Sequence, residues 1–160
     1  MATTTHSAKV TLPTDTQILI EREFDAPKHL VWKAYTTPEL VTRWWAGSRG
    51  TVTSAEIDLR VGGSWRYVMT ADGGFEVGFH GEYREVSPTD RLVNTEIYEG
   101  APDGMGVITM TLTETDGRTT LTEHCDYGTR AVRDAVIDSG MESGMQESLD
   151  ELERVAVSLR

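Results

Sequence analysis

Apolar and polar positions follow two rhythms along this chain, and the change of rhythm marks its architecture. From Arg130 onward, Ile137, Met141, Met145, Leu149, Leu152, Ala156 and Leu159 recur at steps of four and three, the spacing that stacks side chains on one face of a helix. Glu142, Glu147, Asp150, Glu151, Glu153 and Arg154 fall off that stripe. The pattern predicts one long amphipathic helix from Arg130 to Arg160, with its apolar face toward a partner and its charged face toward water. Beside the stripe runs a row of small residues, Gly140, Gly144 and Ser148. A glycine inside a helix costs about 1 kcal/mol relative to alanine, so these glycines point to close approach of a backbone or a ligand. Plain helix packing is the alternative.

Upstream the period is two. Ile18, Ile20, Arg22 and Phe24 alternate with Leu19, Glu21 and Glu23, which predicts a first strand over 17–24. Asp25-Ala26-Pro27 and Thr37-Pro38-Glu39 each carry a capping residue followed by proline, the signal for a helix start. Two short helices are expected, one through Leu30, Val31, Ala34 and Tyr35, the next through Leu40, Val41, Trp44 and Trp45. Residues 51–59, 64–70, 75–86, 91–99, 107–115 and 119–127 are then six runs rich in β-branched and aromatic residues. Gly62-Gly63, Asp72-Gly73-Gly74, Ser87-Pro88-Thr89-Asp90, Pro102-Asp103-Gly104 and Asp116-Gly117 separate them, and connections this short join antiparallel neighbours. The reading is an α+β chain of seven antiparallel strands with two short helices after strand one. A single strong helix is available to cover that sheet, so the sheet has to curl around it, with room for a cavity between. Residues 1–16, Thr-rich and aperiodic, are expected to be a flexible N-terminal arm or at most an added edge strand; residues 17–160 form a single domain.

Composition narrows the partners. A chain of 160 residues supplies one domain with a real core. The formal net charge is -11 with no basic run, so nucleic acid is not an expected partner. The single cysteine, Cys125, rules out an intrachain disulfide and a cysteine cluster for zinc, and it fits a reducing compartment. No apolar run approaches membrane-spanning length and no signal-peptide core precedes residue 17. A cytoplasmic protein without a membrane partner is expected.

Particular motifs then carry a resemblance. Arg22-Glu23-Phe24-Asp25-Ala26-Pro27, Val31-Trp32, Pro38-Glu39-Leu40 and Trp44-Trp45 resemble the opening of the START-like SRPBCC superfamily, and more narrowly the branch named after the activator of Hsp90 ATPase. The segments 58–67 (DLRVGGSWRY) and 81–86 (GEYREV), with the ending Arg133-Asp134-Ala135-Val136 and 139–145 (SGMESGM), are similar to that branch too. The resemblance implies a helix-grip fold of the START or Bet v 1 type: a seven-stranded antiparallel sheet curled around the C-terminal helix, with a cavity between them. Superfamily members bind apolar small molecules, and some cyclise polyketides or sequester toxic metabolites. The namesake cochaperones carry a separate N-terminal domain for much of their chaperone contact, and this chain shows none. An Hsp90-type chaperone is therefore not the expected partner, while a homodimer is compatible with the sequence.

Candidate chemistry is sparse. No nucleophile elbow, phosphate loop, dinucleotide fingerprint or paired-histidine zinc motif occurs, so no cofactor and no metal are expected. Phe75, Val77, Phe79 and Tyr83 share a strand parity toward the core, which turns His80 outward to solvent. Glu123 shares its face with Leu121, Cys125 and Tyr127, and a carboxylate among apolar groups must be paired or neutral. It is the candidate acid or base, with an ion pair to Arg66 or Arg118 as the alternative. Trp45, Trp65, Tyr67, Phe75, Phe79, Tyr83 and Tyr98 are more aromatic area than a small core needs. With Met141, Gly144 and Met145 on the terminal helix they are the candidate ligand-binding set, although a filled core would read alike. Three functions follow: intracellular binding of a small apolar or aromatic ligand as carrier, sensor or sequestration protein, a cyclase or hydrolase acting through a buried polar residue, and a chaperone-partner or protein-interaction module.

Overall fold

The computed structural model describes residues 7–160. In chain order its elements are β1 (Lys9–Thr11), β2 (Gln17–Phe24), α1 (Lys28–Thr36), α2 (Pro38–Trp44), β3 (Gly50–Ile57), β4 (Ser64–Ala71), β5 (Glu76–Ser87), β6 (Arg91–Tyr98), β7 (Met105–Thr115), β8 (Arg118–Asp126), α3 (Arg130–Asp138) and α4 (Met141–Ser158). All strands belong to one antiparallel sheet in the order β1-β2-β8-β7-β6-β5-β4-β3. β3 to β8 form the expected meander, each within two residues of its predicted ends. Asp116 and Gly117 both take positive φ, 54° and 78°, as the tightest hairpin turn between β7 and β8 demands.

The sheet has eight strands rather than seven. The extra one comes from the N-terminal segment, expected to be an arm or at most an added edge strand: Lys9–Thr11 pairs with Leu19–Glu21 on β2 at the sheet edge. Three residues are too few to show a period, and the anchor lies far along the chain. The Gln146 side chain accepts from the Ala8 N–H at 2.9 Å and donates to the Ala8 carbonyl at 2.8 Å. The rest of the predicted arm, residues 1–6, lies outside the described residues.

The terminal helix is also not one piece. Ser139 and Gly140 separate α3 from α4, and Gly140 has φ 81°, a left-handed conformation that glycine adopts without steric cost. Gly140 is thus the breaker between two helices and not an interior glycine.

α4 packs on the sheet through Leu149, Leu152, Val155 and Ala156, all buried, against Ile18, Ile20 and Phe24 of β2 and Leu112 and Leu121 of β7 and β8. Each large aliphatic side chain taken out of water contributes about 1.5–3 kcal/mol. Asp150 and Glu153 were expected on the water-facing side. Instead they meet Arg22, whose side chain is fully buried: its Nη1 donates to Asp150 Oδ1 at 2.7 Å and its Nη2 to Glu153 Oε1 at 2.8 Å. Glu153 also accepts from the Asp25 N–H at 2.8 Å. The inward parity of β2 places a cation under the helix, and the helix answers with two carboxylates. α1 and α2 close the flank through Val31, Trp32, Ala34, Val41 and Trp44, and the Trp44 indole donates to the Ala34 carbonyl at 2.9 Å. The C-terminal half of the helix–sheet interface is therefore filled and pinned.

Candidate functional site

Toward the N-terminus of α4 the interface changes character. Leu149 gives way to Met145 and Met141, which are only partly buried, and the sheet opposite presents aromatic rings instead of aliphatic side chains. Helix and sheet do not meet there, and they enclose a cavity of about 1130 Å³, the size of a small-molecule site.

One continuous aromatic wall crosses several elements. Trp45, at the end of α2, packs edge-to-face with Tyr67 on β4 and Phe79 on β5 at ring-centre distances of 5.5 and 5.6 Å. Trp65 lies 4.8 Å from Tyr67, and Phe79 lies 5.1 Å from Tyr98 on β6. The Trp65 indole N–H donates to the Thr95 carbonyl at 3.0 Å, so its ring is fixed. Tyr83 is buried on the same wall, whereas Phe75 is 63% exposed and Tyr98 43%. These two stand at the mouth. Met141 and Met145 form the roof, and α3 extends it with Val132 and Val136.

Of the candidate ligand-binding residues, Gly144 alone is not on the lining of this cavity. It borders a smaller recess of about 210 Å³ with Arg49 and Met145. A Cβ on Gly144 would come 2.7 Å from Arg49 Nη1. The neighbour at Gly144 is therefore the tip of a flexible, exposed side chain, not a backbone.

Glu123 points inward, as the alternation of β8 requires, and lines the cavity. Its partner is not an arginine. The Tyr35 hydroxyl from α1 donates to Glu123 Oε1 at 3.0 Å, while Arg66 grips Glu99 on the outer face with two bonds of 2.9 Å and Arg118 lies 3.1 Å from Asp25. A second inward carboxylate escaped the sequence reading. Glu96 shares its parity on β6 with Leu92, Asn94 and Tyr98, all of which line the cavity, and that parity was the available signal. Among the described residues Glu96 has no hydrogen-bond or ion-pair partner. Both residues are half-buried and line the cavity.

Burial raises both acids, because a charge away from bulk water loses solvation. The Tyr35 hydrogen bond partly offsets this for Glu123, which therefore ionises first. Its charge then adds to burial at Glu96, pushing that carboxyl up to about 7. Burial likewise raises Tyr35 and Tyr67, which stay neutral hydroxyls, and it raises the Cys125 thiol. Cys125 is thus a small apolar wall residue rather than a nucleophile. His80 faces outward as expected but is not merely solvated: its Nδ1 lies 2.8 Å from Glu99 Oε2. Hydrogen bonds from Arg66 and then His80 hold Glu99 down at about 2.

The family model described as Activator of Hsp90 ATPase homolog 1-like protein matches residues 25–156. Among solved structures, a protein from Rhodobacter sphaeroides is similar with a TM-score of 0.88 at 29% identity, over 96% of this chain and 99% of that one. A protein from Nitrosomonas europaea gives 0.80 at 25% identity, over 92% of this chain and 97% of that one. The AHSA1-like protein from Aeromonas hydrophila shares the fold, with a TM-score of 0.71 at 23% identity over 89% and 93% of the two chains. No curated protein matches the chain.

Proposed function

We propose, on the premise that this chain belongs to the family of activator of Hsp90 ATPase homolog 1-like proteins, that it binds a small apolar or aromatic molecule in the cavity between α4 and the sheet. The observation that carries this reading is the cavity itself: about 1130 Å³ walled by Trp45, Trp65, Tyr67 and Phe79 and roofed by two methionines. Apolar surface moved from water into such a space gains about 25 cal/mol per Å². Association costs consume part of that, so affinity near the micromolar range is expected for a ligand of modest size. Carriage, sensing and sequestration all use this one event. A cytoplasmic setting belongs to the same proposal, in keeping with a free, buried Cys125; no described helix is long and apolar enough to cross a membrane.

The test is titration with the neutral fluorophore N-phenyl-naphthylamine. Wild type should give a saturable rise in emission at one probe per chain, and Met145→Trp with Val136→Trp, which fill the cavity from its roof, should remove it while circular dichroism stays native. Absence of saturable binding, or binding unchanged in the filled variant, would overturn the proposal.

The carboxyl of Glu96, close to neutrality, favours a second reading, an acid–base enzyme of cyclase or hydrolase type in the same cavity. Turnover of aryl esters that disappears in Glu96→Gln while probe binding persists would put that reading first.

A further inference from the structure

The cavity is apolar in its walls and acidic in its depths. Glu96 and Glu123 reach it from β6 and β8, and Asp72 and Asp103 stand on its lining near the mouth. Arg49 is the one cationic side chain on that lining among the described residues. Its guanidinium lies beside Gly144, 3.3 Å from the Gly140 carbonyl, and makes no ion pair with Glu96 or Glu123 among the described residues. None of the described histidines lines the space. Two buried carboxylates without a compensating cation are costly in a folded protein. One has a single tyrosine donor and the other has no partner among the described residues. Elsewhere in the same molecule a buried cation is fully answered: Arg22 meets two carboxylates. The charge left over in the cavity is the negative charge that a bound cation would complete.

The surrounding rings fit the same occupant. Trp45, Tyr67 and Phe79 line the space, and the negative face of an aromatic ring attracts an organic cation. The chain's formal net charge of -11 concentrates cations near the mouth and repels anions.

We propose that the cavity selects apolar molecules carrying a positive charge, a protonated amine on an aromatic or aliphatic body, with the ammonium held at Glu96 and Glu123 and the body against the aromatic wall. This rests on the cavity being the binding site, as proposed above. An ammonium donates charge-assisted hydrogen bonds to carboxylates, and one such bond discriminates by about tenfold or more. A neutral isostere leaves both acids unanswered, and a carboxylate ligand adds a third negative charge. Selectivity follows the protonation of the acids. The groups facing Glu96 are Glu123 and Cys125 of β8, Tyr127 just beyond it, Tyr35 of α1 and Tyr67 of β4, with Asp72, Asp103 and Arg49 also on the lining. The tyrosines and the thiol named here are raised, so Glu96, pushed up to about 7 by burial and by the Glu123 charge, supplies the charge that changes between pH 6 and 8 within the cavity.

Isothermal titration with three probes of one shape tests this: naphthylmethylamine, naphthylmethanol and naphthoate, at pH 8 and pH 6. The ammonium should bind at least about tenfold tighter than the alcohol at pH 8, and naphthoate should bind worst. The preference should shrink at pH 6, where Glu96 takes up a proton and the amine keeps its own. Glu96→Gln with Glu123→Gln should reduce the amine to the affinity of the alcohol, with a native circular dichroism spectrum showing that the variant is folded. Equal binding of amine and alcohol in wild type, or a preference that survives in the double variant, overturns the cation inference and leaves the cavity reading intact. Failure of all three probes to bind overturns both.

Discussion

Glu96→Gln isolates the charge that the cavity keeps. The Glu96 carboxyl is pushed up to about 7 in the folded chain, against 4.5 for a free glutamate. Between those two pH values the folded protein holds a proton that the unfolded chain has released, so stability falls as pH rises from 4.5 to 7 and levels off above. A shift of this size corresponds to at most about 3 kcal/mol. Solvent entering the cavity screens part of it, and about 1–3 kcal/mol is the expected loss. Glutamine has the same shape and no charge. The variant should therefore match wild type near pH 4.5 and exceed it at pH 8 by that amount, about 3–9 °C in Tm for a domain of this size. Thermal and urea melts of both proteins across this range, taken as a difference, cancel the titrating groups not coupled to Glu96 and leave the Glu96–Glu123 pair. Glu99, held down at about 2, acts with the opposite sign in a separate window, its contribution being lost as pH falls below about 4.5. Equal stability of the two proteins at pH 8, or a less stable variant, would refute the placement of an unpaired carboxylate in the cavity.

Arg22→Met leaves Glu153 buried without its cation and should cost about 3–5 kcal/mol; adding Glu153→Met should recover much of that loss in urea unfolding, and a double variant no better than the single would contradict the pairing. The two glycines of the terminal segment should respond in opposite directions to alanine. Gly140→Ala forces a side chain into φ 81° and should destabilise by about 1 kcal/mol or more, whereas Gly144→Ala displaces only the tip of Arg49 and should gain up to about 1 kcal/mol of helix propensity. Differential scanning calorimetry of the pair decides, and the same sign for both would show that one environment is misread.

The meander was legible because period-two runs and glycine-bearing turns are local signals, and Asp116-Gly117 dictates its own hairpin. The break at Gly140 was not, since Ile137 and Met141 carry the apolar stripe straight across the bend and periodicity does not register a change of axis. Glu153 sat among charges on a helix face and read as solvated; its burial depends on Arg22, far away in sequence. The same holds at the site. Strand alternation turned Glu123 inward, and the identical rule applied to β6 would have found Glu96. That Tyr35 would answer Glu123 depends on how α1 docks, which no spacing encodes. Whether Trp45, Tyr67 and Phe79 pack against one another or line a space depends on how far α4 stands from the sheet.

The cavity is tested most directly by the indole N–H resonances of the four tryptophans, followed in an ¹⁵N-labelled sample as N-phenyl-naphthylamine is added. Trp45 and Trp65 line the space and Trp32 does not. Saturable shifts of Trp45 and Trp65 at one equivalent, with Trp32 unmoved, are the predicted result. An unchanged spectrum, or shifts confined to residues of the outer sheet face, would contradict a binding site between α4 and the sheet.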